Sequence, residues 1–427
     1  MKIYKDAAIA AADILLPREG TDLSKWAVIA CDQYTSEPEY WNKADEIVGD
    51  APSTLRIVLP EVWLGTDAES EKLASIADNI NGYLNDGVWG EPLEGFVILD
   101  RSTPLHPTRK GIMLAVDLEQ YNYEPGNKAA IRATEGTVLS RIPPRVRIRA
   151  NAQVEVPHIM LLMDDPDDTV IGRAWDNVIS SGAKPVYDTD LMQGSGHITG
   201  YYVAAGSEVG NGIVNALTAL KAASADGMLF AVGDGNHSLA SAKAHWDNIK
   251  KDLSDEERID HPARFALAEA VNIHDKGIDF EPIHRVVFGM ERDKFIETAL
   301  GFFKGSKAGK EAAAGMQSFI VTGKTPEEDT VISIPEPPHS LAVGSVQILI
   351  DNIIASDKTI SCDYIHGEDS VRKIASEGDR CGILLDSVSK FTFFDTIVKD
   401  GVFPRKTFSM GEAFEKRFYM EARKIER

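Results

Sequence analysis

The stretch that most constrains this chain is Gly227-Met-Leu-Phe-Ala-Val-Gly-Asp-Gly-Asn-His-Ser238. Met228 to Val232 is an apolar run of the length of a buried strand. Gly233-Asp234-Gly235 breaks that run, and a helical pattern follows from Ser238 to Trp246. Strand, glycine turn and helix start in succession aim backbone N–H groups at one point, an arrangement suited to an anion. Asp234, Asn236, His237 and Ser238 place four polar side chains in that turn. The same letters also serve an ordinary Asp-Gly turn followed by a helix N-cap.

With 427 residues the chain exceeds one ordinary core, so two or three domains are expected. Breaks near Glu155 and Phe288 give an N-terminal α/β domain (1–155), a central region holding the glycine turn (156–288) and a C-terminal α/β domain (289–427). A formal net charge of -21 repels nucleic acid and anionic membrane, so neither is expected as a partner. No helix-turn-helix pattern is evident, and no apolar run is long enough for a membrane span. Asp13 interrupts the apolar segment from Ala7 to Leu16, which reads as a first structural element rather than a signal peptide. Cys31, Cys362 and Cys381 are odd in number and scattered, which points to a reducing cytoplasm without disulfides or a zinc knuckle.

Strand and helix signals are interspersed along the chain, so the expected class is α+β with mixed sheets. Trp26 to Ala30 and Leu55 to Leu59 read as strands. Ser36 and Glu39 have capping-box spacing, with Pro38 in the first turn of a helix running to Val48. Arg145-Val-Arg-Ile-Arg149 alternates strictly, and as a strand would set three guanidinium groups on one face. That face would be either solvated or an anion-recruiting wall. His284 and Arg285 lie inside the apolar strand pattern from Phe280 to Phe288, where an arginine needs partners: a core ion pair or a ligand. Glu412 to Ile425 reads as a charged closing helix.

Three stretches together carry a family resemblance: Val232-Gly-Asp-Gly-Asn-His-Ser-Leu-Ala240, Glu281-Pro-Ile-His-Arg-Val-Val287 and Phe403-Pro-Arg-Lys-Thr-Phe408. In order and spacing they resemble the prokaryotic family known as domain of unknown function 1015. Thr134-Glu-Gly-Thr137 with Arg141 sits where that family carries a His-Glu-x-Thr motif and a downstream arginine. The family's central Asp-Gly-His-His-Arg motif is similar to the phosphate-holding turn of the ParB and sulfiredoxin-like superfamily, which includes kinases of free serine. The resemblance implies a ParB/sulfiredoxin-like core within the larger multi-domain α/β chain. The nucleotide-binding region would be 156–288, with phosphates held at Gly235, Asn236 and Ser238. Upstream, Glu135 keeps the acid of the His-Glu-x-Thr motif but Ala133-Thr134 replace its histidine side, and in the central motif two positions depart from the pattern. Ser238 stands where the family has arginine, and Asn236 where it has histidine. Loss of the arginine removes a bidentate phosphate contact, and Arg285, Arg405 and Lys406 are the expected substitutes.

Phosphoryl transfer needs backbone donors and cations on the phosphates, a divalent cation and a base near the attacking hydroxyl. The expected cofactor is ATP or ADP with magnesium. Asp234 and Glu135 are the candidate magnesium ligands, and Asp234, His237 and Glu135 the candidate catalytic groups. The implied activity is a nucleotide-dependent phosphotransferase acting on a small hydroxyl metabolite such as serine or phosphoserine. The alternatives are a non-catalytic nucleotide-binding regulator and a metal-dependent phosphohydrolase.

Overall fold

A computed structural model describes residues 1–137, 142–150, 152–156, 158–224 and 226–426. The chain forms two compact units, one from Met1–Asp279 with Gly411–Arg427 and the other from Phe280–Met410. Both combine helices with sheets, and the larger sheet is mixed, so the class is α+β.

The first unit is built on a sheet of thirteen strands among the described residues. Its main path runs Tyr121–Asn122, Ile131–Arg132, Phe230–Asp234, Met160–Met163, Phe265–Asn272, Lys110–Asp117, Ile9–Leu15, Leu93–Ser102, His197–Ala204, Tyr187–Asp190. Phe230–Asp234 is parallel to Ile131–Arg132 and antiparallel to Met160–Met163. Both faces of the sheet are covered, and the strand period shows it. Ile112, Leu114 and Val116 enter one apolar cluster, while Met113 and Ala115 enter another. The helix Asn236–Ile249 seals the first cluster with Leu239, Ala242 and Trp246.

The second unit has an antiparallel sheet ordered Lys307–Gly309, Thr330–Ile334, Gln317–Val321, Arg380–Leu384, Phe280–Phe288, Ser361–His366, with Phe408–Met410 also on Phe280–Phe288. The helices Arg292–Phe302 and Ala342–Ser356 bury Phe295, Val346, Leu349 and Ile350 in its core.

Four segments differ from the sequence reading. Arg145 to Arg149 belongs to a helix, Ile142–Ala150, not to a strand. Pro143 suits a first helical turn, and the helix packs on Asn236–Ile249. Helical spacing puts Arg145 and Arg149 on one face, where they meet Glu61 and Glu155. A strand face of three guanidinium groups, solvated or anion-recruiting, therefore does not form. Leu55 to Leu59 begins with a short 3₁₀ turn, Thr54–Arg56. Trp26 ends a helical turn, Leu23–Trp26, so the segment to Ala30 is not a full strand. The charged C-terminal stretch is largely extended, with a 3₁₀ turn at Ala413–Glu415 and a strand at Ala422–Lys424. Its charges face partners inside the protein. Arg417 pairs with Glu269 and Glu421, and Arg423 with Glu155. Tertiary pairing has overridden a composition that favours an exposed helix.

Candidate functional site

The end of the Phe230–Asp234 strand lies between two sheet neighbours. Its parallel neighbour, Ile131–Arg132, runs on into Thr134 and Glu135. Its antiparallel neighbour, Met160–Met163, is entered from His158. The ladder shifts register between Val232 and Asp234, which releases the chain into the turn. Gly235 then caps the helix in left-handed backbone at φ 83°. A side chain there would be strained, and its Cβ would lie 3.0 Å from the Ile159 Cα. The helix starts at Asn236, so the N–H groups of its first turn have no carbonyl within the helix to bond to.

Asn236 ties the turn to the upstream segment. Its Oδ1 accepts from the Thr134 N–H at 3.1 Å, and its Nδ2 donates to the Thr134 Oγ1 at 3.1 Å. The Thr134 hydroxyl in turn donates to the Val232 carbonyl at 2.6 Å. Asp234 accepts from the Gly235 N–H through Oδ1 at 2.9 Å. Its Oδ2 lies 3.3 Å from the Lys416 Nζ. The His237 carbonyl accepts from Ser241 Oγ at 2.7 Å, and its side chain is half-buried, like that of Glu135. Arg141 lies outside the described residues.

Four residues that the sequence reading missed complete this cluster. The Ser238 Oγ is 2.9 Å from the His158 Nε2, and the His158 Nδ1 is 2.8 Å from the Tyr419 hydroxyl. Asp32 approaches the same Nε2 at 3.9 Å. Lys416 is the fourth. The C-terminal segment is held there by backbone bonds to residues 28–30: the Ala30 N–H donates to the Arg417 carbonyl and the Tyr419 N–H to the Val28 carbonyl. The Tyr419 hydroxyl also accepts from the Cys31 N–H at 2.9 Å.

Burial works against a charge on His158, but the carboxylate of Asp32, with Cys31 and Asp234, outweighs it and pushes the ring up to about 10. The ring is therefore an imidazolium at neutral pH. Burial likewise opposes ionisation of Asp32. His158, a hydrogen bond from Gln33 and the Lys416 ammonium reverse that effect and hold the carboxyl below its usual range. Burial also drives the Tyr419 phenol well above its ordinary value, so it stays protonated.

Arg285, Arg405 and Lys406 belong to the second unit. Arg285 is fully buried. It donates to the Gln347 Oε1 at 3.2 Å and to the carbonyls of Ile283 and Arg405 at 2.6 and 3.2 Å. Its guanidinium lies 4.5 Å from the centre of the Tyr364 ring. Arg405 is exposed, pairs with Asp351 at 3.1 Å and also lies over Tyr364. Lys406 is exposed, with left-handed backbone at φ 54°. Among the described residues no group of three or more His, Cys, Asp or Glu side chains is placed to hold a metal. No helix among them is long and apolar enough to cross a membrane.

A family model described as protein of unknown function (DUF1015) matches residues 15–341, and the chain belongs to that family. No curated protein matches it. Among solved structures it is similar to a conserved hypothetical protein from Pyrococcus furiosus at 11% identity, covering 72% of this chain and 93% of that one with a TM-score of 0.36. A free serine kinase in complex with AMP matches at 11% identity, over 73% of this chain and 92% of the kinase, with a TM-score of 0.38. A truncated SbnI from Staphylococcus aureus matches at 10% identity, over 72% and 85%, with a TM-score of 0.36.

The signal for the missed residues is faint but physical. Cys31, Asp32 and Gln33 follow the buried apolar run Ala27 to Ala30, and His158 precedes the apolar strand Met160–Met163. Polar groups at the ends of buried strands commonly sit where sites are built. Which strand ends meet is a matter of topology, which local pattern does not contain.

Proposed function

We propose that this protein binds a nucleotide through its phosphates at the Gly235–Ser238 turn and transfers a phosphoryl group to or from a small hydroxyl-bearing metabolite. The observation that carries this reading is the open first turn of the helix behind a left-handed Gly235, with the Lys416 ammonium and the His158 imidazolium grouped around it. Backbone donors and two cations suit phosphate oxygens. The reading of the turn as ParB/sulfiredoxin-like is part of this proposal.

Asp234, beside the Lys416 ammonium, and Glu135 are the carboxylates proposed to hold magnesium. Magnesium is commonly held by one or two carboxylates together with substrate phosphates, so two carboxylates suffice for it. Asp234 and Glu135, the latter carried next to Thr134, are alternatively proposed as the base, and His237 is proposed as a base or as a donor to phosphate. ATP or ADP is the proposed nucleotide, and serine or phosphoserine the proposed partner substrate.

One observation favours a second reading, a nucleotide-binding regulator without turnover: position 238 carries serine in place of a phosphate-clamping arginine. Thermal unfolding with ATP, ADP and AMP, each with and without Mg²⁺, tests both readings. A ligand of the folded state raises the melting temperature. A shift accompanied by phosphate exchange between nucleotide and serine supports the transferase. A shift without exchange supports the regulator. No shift with any nucleotide sinks both.

A further inference from the structure

We propose that His158 and Ser238 act as one donor pair for a phosphate oxygen, supplying the positive charge that this chain does not carry at position 238 itself. The proposal rests on the phosphate-binding reading above and deepens it by naming the residues that bear the charge.

Only 12% of the His158 side chain is exposed. Every segment around it brings a polar group: Cys31 and Asp32 from one loop, Asp234 and Ser238 from the turn, Lys416 and Tyr419 from the C-terminal segment. An imidazolium donates from both ring nitrogens. Its Nδ1–H is directed to the Tyr419 oxygen at 2.8 Å, and its Nε2–H to the Ser238 Oγ at 2.9 Å. Asp32, at 3.9 Å, favours the charged ring without taking the Nε2 hydrogen from Ser238. With its oxygen engaged as an acceptor, Ser238 has its own O–H left to donate. No acceptor for that hydroxyl exists among the described residues. A hydroxyl polarised by an imidazolium is a strengthened donor, and an anionic oxygen is the acceptor that gains most from it. Lys416 brings a second cation to the same place through Asp234. Two short side chains thus reproduce a long arginine: one holds the charge below, the other carries the hydrogen bond outward.

The test uses the full-length protein with ¹⁵N-labelled histidines, titrated with inorganic phosphate and with ADP. The His158 ring nitrogens are expected to show imidazolium signals at neutral pH and to move as either ligand is added. In calorimetry, Ser238→Ala is expected to weaken both ligands by about 2–10-fold and His158→Gln by about 10–100-fold, the ranges for neutral and charged hydrogen bonds. The double variant is expected to be no weaker than His158→Gln alone, because the two residues act as a unit. Ser238→Arg placed on His158→Gln is expected to restore affinity. A folded His158→Gln with unchanged affinity overturns the proposal but leaves nucleotide binding at the turn intact. If that variant does not fold, phosphate binding that leaves every histidine signal of the unaltered protein in place overturns it equally. Failure of the unaltered protein to bind phosphate or any nucleotide overturns both the donor pair and the reading beneath it.

Discussion

Asn236 and Thr134, 102 residues apart in the chain, exchange two hydrogen bonds of 3.1 Å. One amide side chain thereby fixes the segment carrying Glu135 against the turn carrying Asp234 and Ser238. Asn236→Ala is expected to leave the Thr134 N–H without its acceptor and to free the segment. The loss in stability should be about 1–3 kcal/mol, as for a buried donor left unsatisfied. If the segment belongs to a nucleotide site, the melting-temperature shift with nucleotide should fall as well. Asn236→Asp retains the acceptor and loses the donor, so it should fall between alanine and the native residue. Urea unfolding of the three proteins, with and without nucleotide, checks the order.

Gly235 is the turn's other fixed point. Its φ of 83° lies in the left-handed region, and an added Cβ would meet the Ile159 Cα at 3.0 Å and the His158 Cδ2 at 3.4 Å. Gly235→Ala is expected to cost about 1–3 kcal/mol from backbone strain. The close approach to Ile159 should also shift the adjoining His158, so nucleotide response should fall by more than stability alone explains. Gly227, also at positive φ but with nothing within 4 Å of an added Cβ, is the control. Gly227→Ala should show backbone strain only, with the nucleotide response unchanged.

Much of this fold is legible locally. The helix opening at Pro38, the strands through Phe96, Ile112 and Tyr201, and the helix over Val343 to Ile354 follow from periodicity and the opening proline, although Ser36 and Glu39 form no capping box and the first helix starts from Glu37 without a side-chain cap. Pattern fails where tertiary partners decide. Strict alternation at Arg145 to Arg149 marked a strand, yet a proline-led first turn and packing on the Asn236–Ile249 helix made it helical. In the site, the glycine turn was legible because conformation demands those letters. Asp32, His158, Lys416 and Tyr419 were not, because ordinary residues become a cluster only when three strand ends and the C-terminal segment meet. The C-terminal stretch shows the same limit most sharply: its charges suggested solvent, and the fold buries them.

Arg417 makes that burial testable. It is 1% exposed, with Nη1 2.6 Å from the Glu269 Oε2 and Nη2 on Glu421. Tyr187 closes the group by donating to the Glu421 Oε1 at 2.5 Å. Arg417→Met would strand two buried carboxylates, so the expected loss is about 3–5 kcal/mol. Adding Glu269→Gln and Glu421→Gln should recover much of it, because the penalty comes from uncompensated charge rather than lost contact. Urea midpoints at constant slope would show this. A triple variant no more stable than Arg417→Met alone would point to packing instead.

His106 gives the protein a defined response to pH. Its Nδ1 lies 2.6 Å from the Glu415 Oε1 and its Nε2 2.9 Å from the Asp279 Oδ2. The hydrogen bond to Glu415 raises the ring above its ordinary value. Burial opposes this, and Asp279 adds to the rise. A histidine whose folded value is raised stabilises fully below its unfolded value of about 6.5 and loses that contribution as pH rises through the folded value. Glu415 moves the other way. Burial would raise it, but the Glu412 N–H, His106 and Thr103 hold it below its usual range. Its contribution is present above its unfolded value of about 4.3 and lost as acid protonates it. Together they should stabilise most in weak acid, between those two unfolded values. In His106→Asn the difference from the native protein is therefore expected to be largest near about pH 6 and to shrink toward about pH 9. Melting temperatures of both proteins across that range check it. A constant difference would show that His106 contributes shape rather than charge.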